Sequence, residues 1–211
     1  MKLRFLQAAL AATILGVAGT TLYLTLAQRR ARIELPVYGR LEGFTLRDQE
    51  GKAFSREDLA GRIHVVNFIF TSCEHTCPML TRQMAQLDAR TRRLGNVRLL
   101  SISVDPRRDT PSRLKSYAKR FDVDFSRWFF LTGPLAEVER VVVNGFMTAM
   151  DQGGQASGSH ELFEITHGEN FVVLDPAAQV RAFRRCGTKA ELDALVKVVE
   201  TLHAEPTRLA E

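Results

Sequence analysis

Apolar and polar residues follow two periods along this chain. Residues 63–70 (IHVVNFIF) and 97–104 (VRLLSISV) are short β-branched and aromatic runs, the pattern of strands covered on both faces. Between them Leu80, Met84, Leu87 and Leu94 recur at helical spacings and Gly95 closes the stripe, which predicts a helix, with Pro78 near its start. Asp109-Thr110-Pro111 opens a second helix over 112–121, 127–131 (RWFFL) reads as a third strand, and 134–146 as a third helix. Residues 170–175 and 179–184 flank Pro176-Ala177-Ala178 as a hairpin. Thr188 with Glu191 forms a capping box ahead of the stripe Leu192, Leu195, Val196, Val199 and Leu202. Upstream, residues 43–46 followed by Asp48-Gln49-Glu50-Gly51-Lys52 predict a short strand and a turn.

The order strand–helix–strand, then two strands and a closing helix, predicts an α/β domain of thioredoxin-like fold, a mixed sheet flanked by helices. A different element precedes it. Residues 5–27 carry no charge, and these 23 positions are long enough to cross a hydrocarbon core of about 30 Å. A cleaved signal peptide and an uncleaved transmembrane anchor are both open; the length of the run and the weak small-x-small sites at Gly16-Val17-Ala18 and Thr25-Leu26-Ala27 favour the anchor. The expected organisation is an anchor or signal at 1–32 with basic flanks, a tether at 33–40, the folded domain at 41–204 and a tail at 205–211. The domain is expected on the exported side, facing the periplasm of a bacterial inner membrane or an equivalent compartment, where disulfides are permitted.

Charge changes the picture once. Of 29 basic residues, Lys2, Arg4, Arg29, Arg30 and Arg32 lie in the leader with no acid beside them, and these five account for the whole net charge of +5. The body is balanced, so binding to nucleic acid through phosphate contacts is excluded.

The dense chemistry is Thr71-Ser72-Cys73-Glu74-His75-Thr76-Cys77-Pro78, between a buried strand and a helix N-terminus. The dipole and free N–H groups there favour thiolate, which makes the sulfurs reactive or metal-competent. If the first helical turn includes Cys73, the two sulfurs share a face. A static staple is the bland alternative, but it needs no placement at a strand–helix switch point. Two thiolates are soft donors suited to copper(I), which is content with three ligands. Of the five histidines, His64 lies within a buried strand and reads as a hydrogen-bonded core residue, His203 ends the last helix, and His160 follows a loose glycine-rich run. His75 sits between the cysteines as a spare donor. His167, ahead of the 170–175 strand with Gly168 beside it, is the best third ligand. Cys186 reads as a partly buried, unpaired cysteine.

These residues resemble the Sco family of membrane-anchored, thioredoxin-like copper-binding proteins of cytochrome c oxidase assembly. The likeness spans nearly all of 38–203 and rests on three motifs. They are Thr71-x-Cys73-x-x-x-Cys77-Pro78, Ser103-Val104-Asp105-Pro106-x-Arg108-Asp109-Thr110-Pro111, and the His167 loop leading into Phe171-Val172-Val173-Leu174-Asp175-Pro176. It implies copper as the bound ion, Cys73, Cys77 and His167 as its ligands, and the dinuclear copper centre of cytochrome c oxidase subunit II as the destination. Three departures stand out: Glu74 where the family usually has proline, Thr166 where an acid is common, and His75 between the cysteines. None removes a ligand.

Two functions follow. One is a copper chaperone that acts by ligand exchange; the other is a thiol–disulfide oxidoreductase that uses Cys73 and Cys77 as its redox pair to reduce an oxidase subunit or another exported protein. Reductases of this fold carry a proline in the loop facing the cysteines, whereas 165–170 (ITHGEN) offers a histidine and no proline, which tilts the reading toward metal. A peroxidase is disfavoured, because peroxide reduction has no need of a ligand histidine.

Overall fold

The computed structural model describes residues 35–147 and 170–205, together with a few helical positions between 7 and 21. The chain divides into two units, Met1–Glu34 and Leu35–Glu211. Among the described residues no helix is long and apolar enough to cross a membrane, and most of the uncharged 5–27 run lies outside them.

In the second unit β1 (Gly39–Arg40), β4 (Ile63–Ile69), β5 (Val97–Ser103), β6 (Trp128–Leu131), β7 (Asn170–Leu174) and β8 (Gln179–Arg185) form one sheet in the order β1-β8-β7-β4-β5-β6. β4, β5 and β6 are parallel, whereas β7 and β8 run antiparallel. The expected mixed sheet and thioredoxin-like order are both present. A separate hairpin pairs β2 (Thr45–Arg47) with β3 (Ala53–Ser55). Asp48 Oδ1 accepts from the amides of Glu50 and Lys52 at 2.8 and 2.9 Å, and Gly51 supplies the positive φ of +78° that closes this turn.

Every residue of β4 is buried, so the strand serves two cores. Ile63, Val65 and Ile69 pack with α1 (Thr76–Thr91), α2 (Pro111–Ala118) and α4 (Lys189–Ala204) through Leu80, Met84, Leu114 and Leu195. Val66 and Phe68 pack on the other face with Leu46, Leu100 and Phe146. The period-2 alternation of a strand divides the apolar run this way. Thr188 caps α4 as expected: its Oγ1 accepts from the Glu191 amide at 3.2 Å, and the Glu191 carboxylate accepts from the Thr188 amide at 2.9 Å.

Three expectations shift. α1 begins at Thr76, which leaves Cys73 outside it and Pro78 in its first turn, where a missing N–H costs nothing. The helix foreseen at 134–146 is α3 (Leu135–Glu139), which widens into a π-helical stretch, Arg140–Met147. There Gly145 passes Leu41 so closely that a Cβ would lie 2.9 Å from its side chain. Cys186 is wholly buried rather than partly so.

The chain enters this unit over a buried guanidinium. Arg181 donates to the carbonyls of Leu35 and Pro36 at 2.7 and 3.1 Å and bonds Asp175 and Glu205, each at 3.0 Å.

Candidate metal centre

β4 ends at Ile69 and the chain turns at once: the Cys73 amide donates to the Phe70 carbonyl at 3.2 Å. His75, in the capping position of α1, makes no side-chain cap bond to the first helical amides. The sulfur of Cys73 fills that role and accepts from the Cys77 amide at 3.3 Å. The shared helical face expected for the pair is thus realised differently. Cys73 lies ahead of the helix and folds back over it, which gathers the two cysteines without a common turn. All three cysteines are unbridged thiols.

The two sulfurs of the pair are electrostatically unequal. Partial burial opposes the Cys73 thiolate, but hydrogen bonds from Cys77 and from the amides of His75 and Thr76 outweigh it and hold the thiol below its ordinary value. Cys77 is almost fully buried. Desolvation, with the Cys73 hydrogen bond and the nearby charges of Cys73 and Asp109, pushes its thiol up to about 12.

Beneath the pair lies a second layer that sequence reasoning missed. Thr81 Oγ1 donates to the Cys77 carbonyl at 2.7 Å and shares a hydrogen bond with the buried Tyr117 hydroxyl at 2.8 Å. Asp109, fully buried, accepts from the Thr71 amide, the Thr71 hydroxyl and the Ser103 hydroxyl. Asp109 reads as part of a helix start in sequence. The structure gives the α2 cap to Thr110, which accepts from the Arg113 amide at 3.3 Å and leaves the preceding acid for another purpose; Asp-Thr-Pro alone does not tell the two apart.

Of the five histidines, His64 is buried in β4 with Nδ1–H directed at the Arg62 carbonyl, 3.2 Å away, as expected of a core residue. His203 donates to Asn96 Oδ1 at 2.8 Å. His75 is exposed at the mouth of α1. His160 and His167 lie outside the described residues, and among those described no three His, Cys, Asp or Glu side chains gather as a metal site.

The sequence model described as SCO1/SenC matches residues 39–203. The chain belongs to this family. The SCO1 protein homolog of Bacillus subtilis (strain 168) is 32% identical over 151 residues, 71% of this chain and 75% of that one. Among solved structures, BsSco, a Sco-family cytochrome c oxidase assembly protein with a disulfide switch, superposes with a TM-score of 0.65 at 26% identity, covering 82% of this chain and 98% of that one. Bradyrhizobium japonicum ScoI with copper bound superposes with a TM-score of 0.56 at 25% identity, covering 76% and 99%. The thioredoxin-like fold is therefore that of the family.

Proposed function

We propose that this chain is a copper carrier of cytochrome c oxidase assembly, with Cys73, Cys77 and His167 as ligands and the dinuclear copper site of oxidase subunit II as the destination. The convergence of two thiols at the open N-terminus of α1 carries this reading. Two adjacent sulfurs are the donor set that copper(I) prefers, and the copper-bound Bradyrhizobium relative has the same fold. The sheet register supports the third ligand. β7 pairs with β4 so that Val172 faces Val66, which brings the start of β7 beside the end of β4 where the cysteine loop leaves. His167 is three residues ahead of Asn170, the first residue of β7.

Reduced full-length protein in detergent is expected to bind one copper ion. Cys73→Ser or Cys77→Ser abolishes that binding, and His167→Ala weakens it at least about tenfold while thiol–disulfide exchange continues, since exchange needs only the sulfurs. Full-affinity copper in both cysteine variants would sink the assignment.

The oxidoreductase reading draws on the inequality of the two thiols, one below its ordinary value and one far above, as an attacking and a resting sulfur are. It takes over if neither His167 nor His75 matters for copper but Cys77→Ser still destroys activity in oxidase assembly.

We also assign 5–27 as a membrane anchor that holds the domain on the exported side. Within it Thr20 and Thr21 donate back to the carbonyls of Gly16 and Val17, each at 2.8 Å, which hides their hydroxyls from an apolar medium. Retention in the membrane fraction after alkaline extraction tests it; release as a shortened chain would make 1–32 a cleaved signal.

A further inference from the structure

Among the described residues, Asp109 is a buried carboxylate with no cation against it. Its side chain is wholly covered and none of the ion pairs among the described residues includes it. Oδ2 accepts from the Thr71 amide at 2.9 Å and from the Ser103 hydroxyl at 2.7 Å, and Oδ1 accepts from the Thr71 hydroxyl at 2.5 Å. A carboxylate buried among neutral groups is costly unless donors satisfy it, and here three do. Those donors come from two segments, the end of β5 and the loop after β4, while Asp109 itself stands just before α2. Ser103 is fixed in turn, since its oxygen accepts from the Asp105 amide at 3.1 Å.

The place it grips matters. Thr71 is the second residue of the tight turn closed by the Cys73 amide on the Phe70 carbonyl, and two residues later the Cys73 sulfur receives the Cys77 amide. Clamping both the backbone and the side chain of Thr71 fixes the direction in which this turn delivers Cys73. We infer that Asp109 is the positioning residue of the cysteine pair: through Thr71 it holds the 70–73 turn so that the Cys73 sulfur stays over the N-terminus of α1, within reach of Cys77. The inference rests on the reading of Cys73 and Cys77 as the working pair, whether that pair holds copper or a disulfide.

Preorganisation favours any state in which the two sulfurs share a partner, so loss of the clamp disfavours both copper chelation and the disulfide. Asp109→Ala and Thr71→Val are each compared with wild type for copper(I) affinity and for the reduction potential of the Cys73–Cys77 disulfide. Asp109→Ala is expected to weaken copper about tenfold and to make the disulfide about tenfold easier to reduce, a rise of about 30 mV. Thr71→Val, which loses only the hydroxyl arm, shifts both by about threefold, and adds nothing in the Asp109→Ala background because its partner is already gone. Asp109→Asn restores both quantities, since an amide oxygen still accepts from the Thr71 amide while its NH₂ group faces a hydroxyl free to turn.

Copper affinity and potential within twofold of wild type in a folded Asp109→Ala protein overturn the inference. If Asp109→Ala does not fold, unchanged values in Thr71→Val overturn it. Asp109→Asn as impaired as Asp109→Ala replaces positioning by a charge effect and overturns it as well. Should wild type bind no copper, the carrier reading fails, and the potential measurements still decide the role of Asp109.

Discussion

The amide of Cys77 donates to the sulfur of Cys73 across 3.3 Å, so a helix N-terminus that lacks a side-chain cap is capped by a thiol. An oxygen in that position would only stabilise the helix. A sulfur there also becomes the more acidic of two neighbouring thiols.

Cys73 is therefore expected to react first. Limited iodoacetamide at about pH 7.5, followed by peptide mass spectrometry, should modify Cys73 at least about tenfold faster than Cys77. Cys186 belongs with the slow group, because burial pushes its thiol up to about 12 and the side chain is fully covered. It should react only after denaturation. Equal rates at Cys73 and Cys77 would contradict the asymmetry.

Acid should loosen the fold through His64. Burial, helped by the charges of Arg98 and Arg62 and opposed by the bond to the Arg62 carbonyl, depresses its imidazole from 6.5 to about 3. The native state thus holds fewer protons than the unfolded chain in this range. The contribution to stability is full above pH 6.5 and is lost as pH falls toward 3, at about 1.4 kcal/mol per unit. His64→Leu should flatten that slope in urea unfolding between about pH 7 and pH 4.5. At neutral pH it should cost only the bond from Nδ1 to the Arg62 carbonyl, about 1 kcal/mol, because Nε2 has no hydrogen-bond partner among the described residues. An unchanged slope would place the acid sensitivity elsewhere.

Removing the buried guanidinium should be among the costlier single changes. Arg181→Met leaves Asp175 buried without its cation and frees the carbonyls of Leu35 and Pro36. A loss of about 3–5 kcal/mol in unfolding free energy is expected by urea titration. A loss below about 1 kcal/mol would mean that water replaces these bonds readily.

Much of this was legible in the chain, for reasons that differ by residue. The runs at 63–70 and 97–104 announce buried strands because no polar residue interrupts them regularly, and Thr188 with Glu191 announces a helix start because capping is local chemistry. Cys73 and Cys77 are visible for their element alone. What stayed hidden is set by contacts distant in sequence. Asp109 meets Thr71 across 38 positions and Tyr117 meets Thr81 across 36, and no periodicity encodes such meetings. The start of α1 was displaced because a proline inside the first turn is as acceptable as one at the first position. The π-helical stretch has an ordinary helical apolar pattern, so its sequence gives no warning of the wider turn.

The guanidinium of Arg181 touches residues from both ends of the folded unit, the Leu35 carbonyl and the Glu205 carboxylate. A linker of a few residues is therefore enough to join 205 back to 35, and the backbone could be opened anew between Gly51 and Lys52 in the β2–β3 turn, which leaves the Gln49 bond to the Phe130 amide and the Glu50–Lys115 pair in place. Such a circularly permuted domain would keep β4, the 70–73 turn and α1 uncut. β4 begins on the Arg181 side, with Gly61 bonded to the Pro176 carbonyl, and its seven residues at about 3.3 Å each carry the chain roughly 20 Å before the cysteines. A tag, a fluorophore or a solid support fixed at the junction would stand toward the start of β4, and the cysteine loop leaves from its other end.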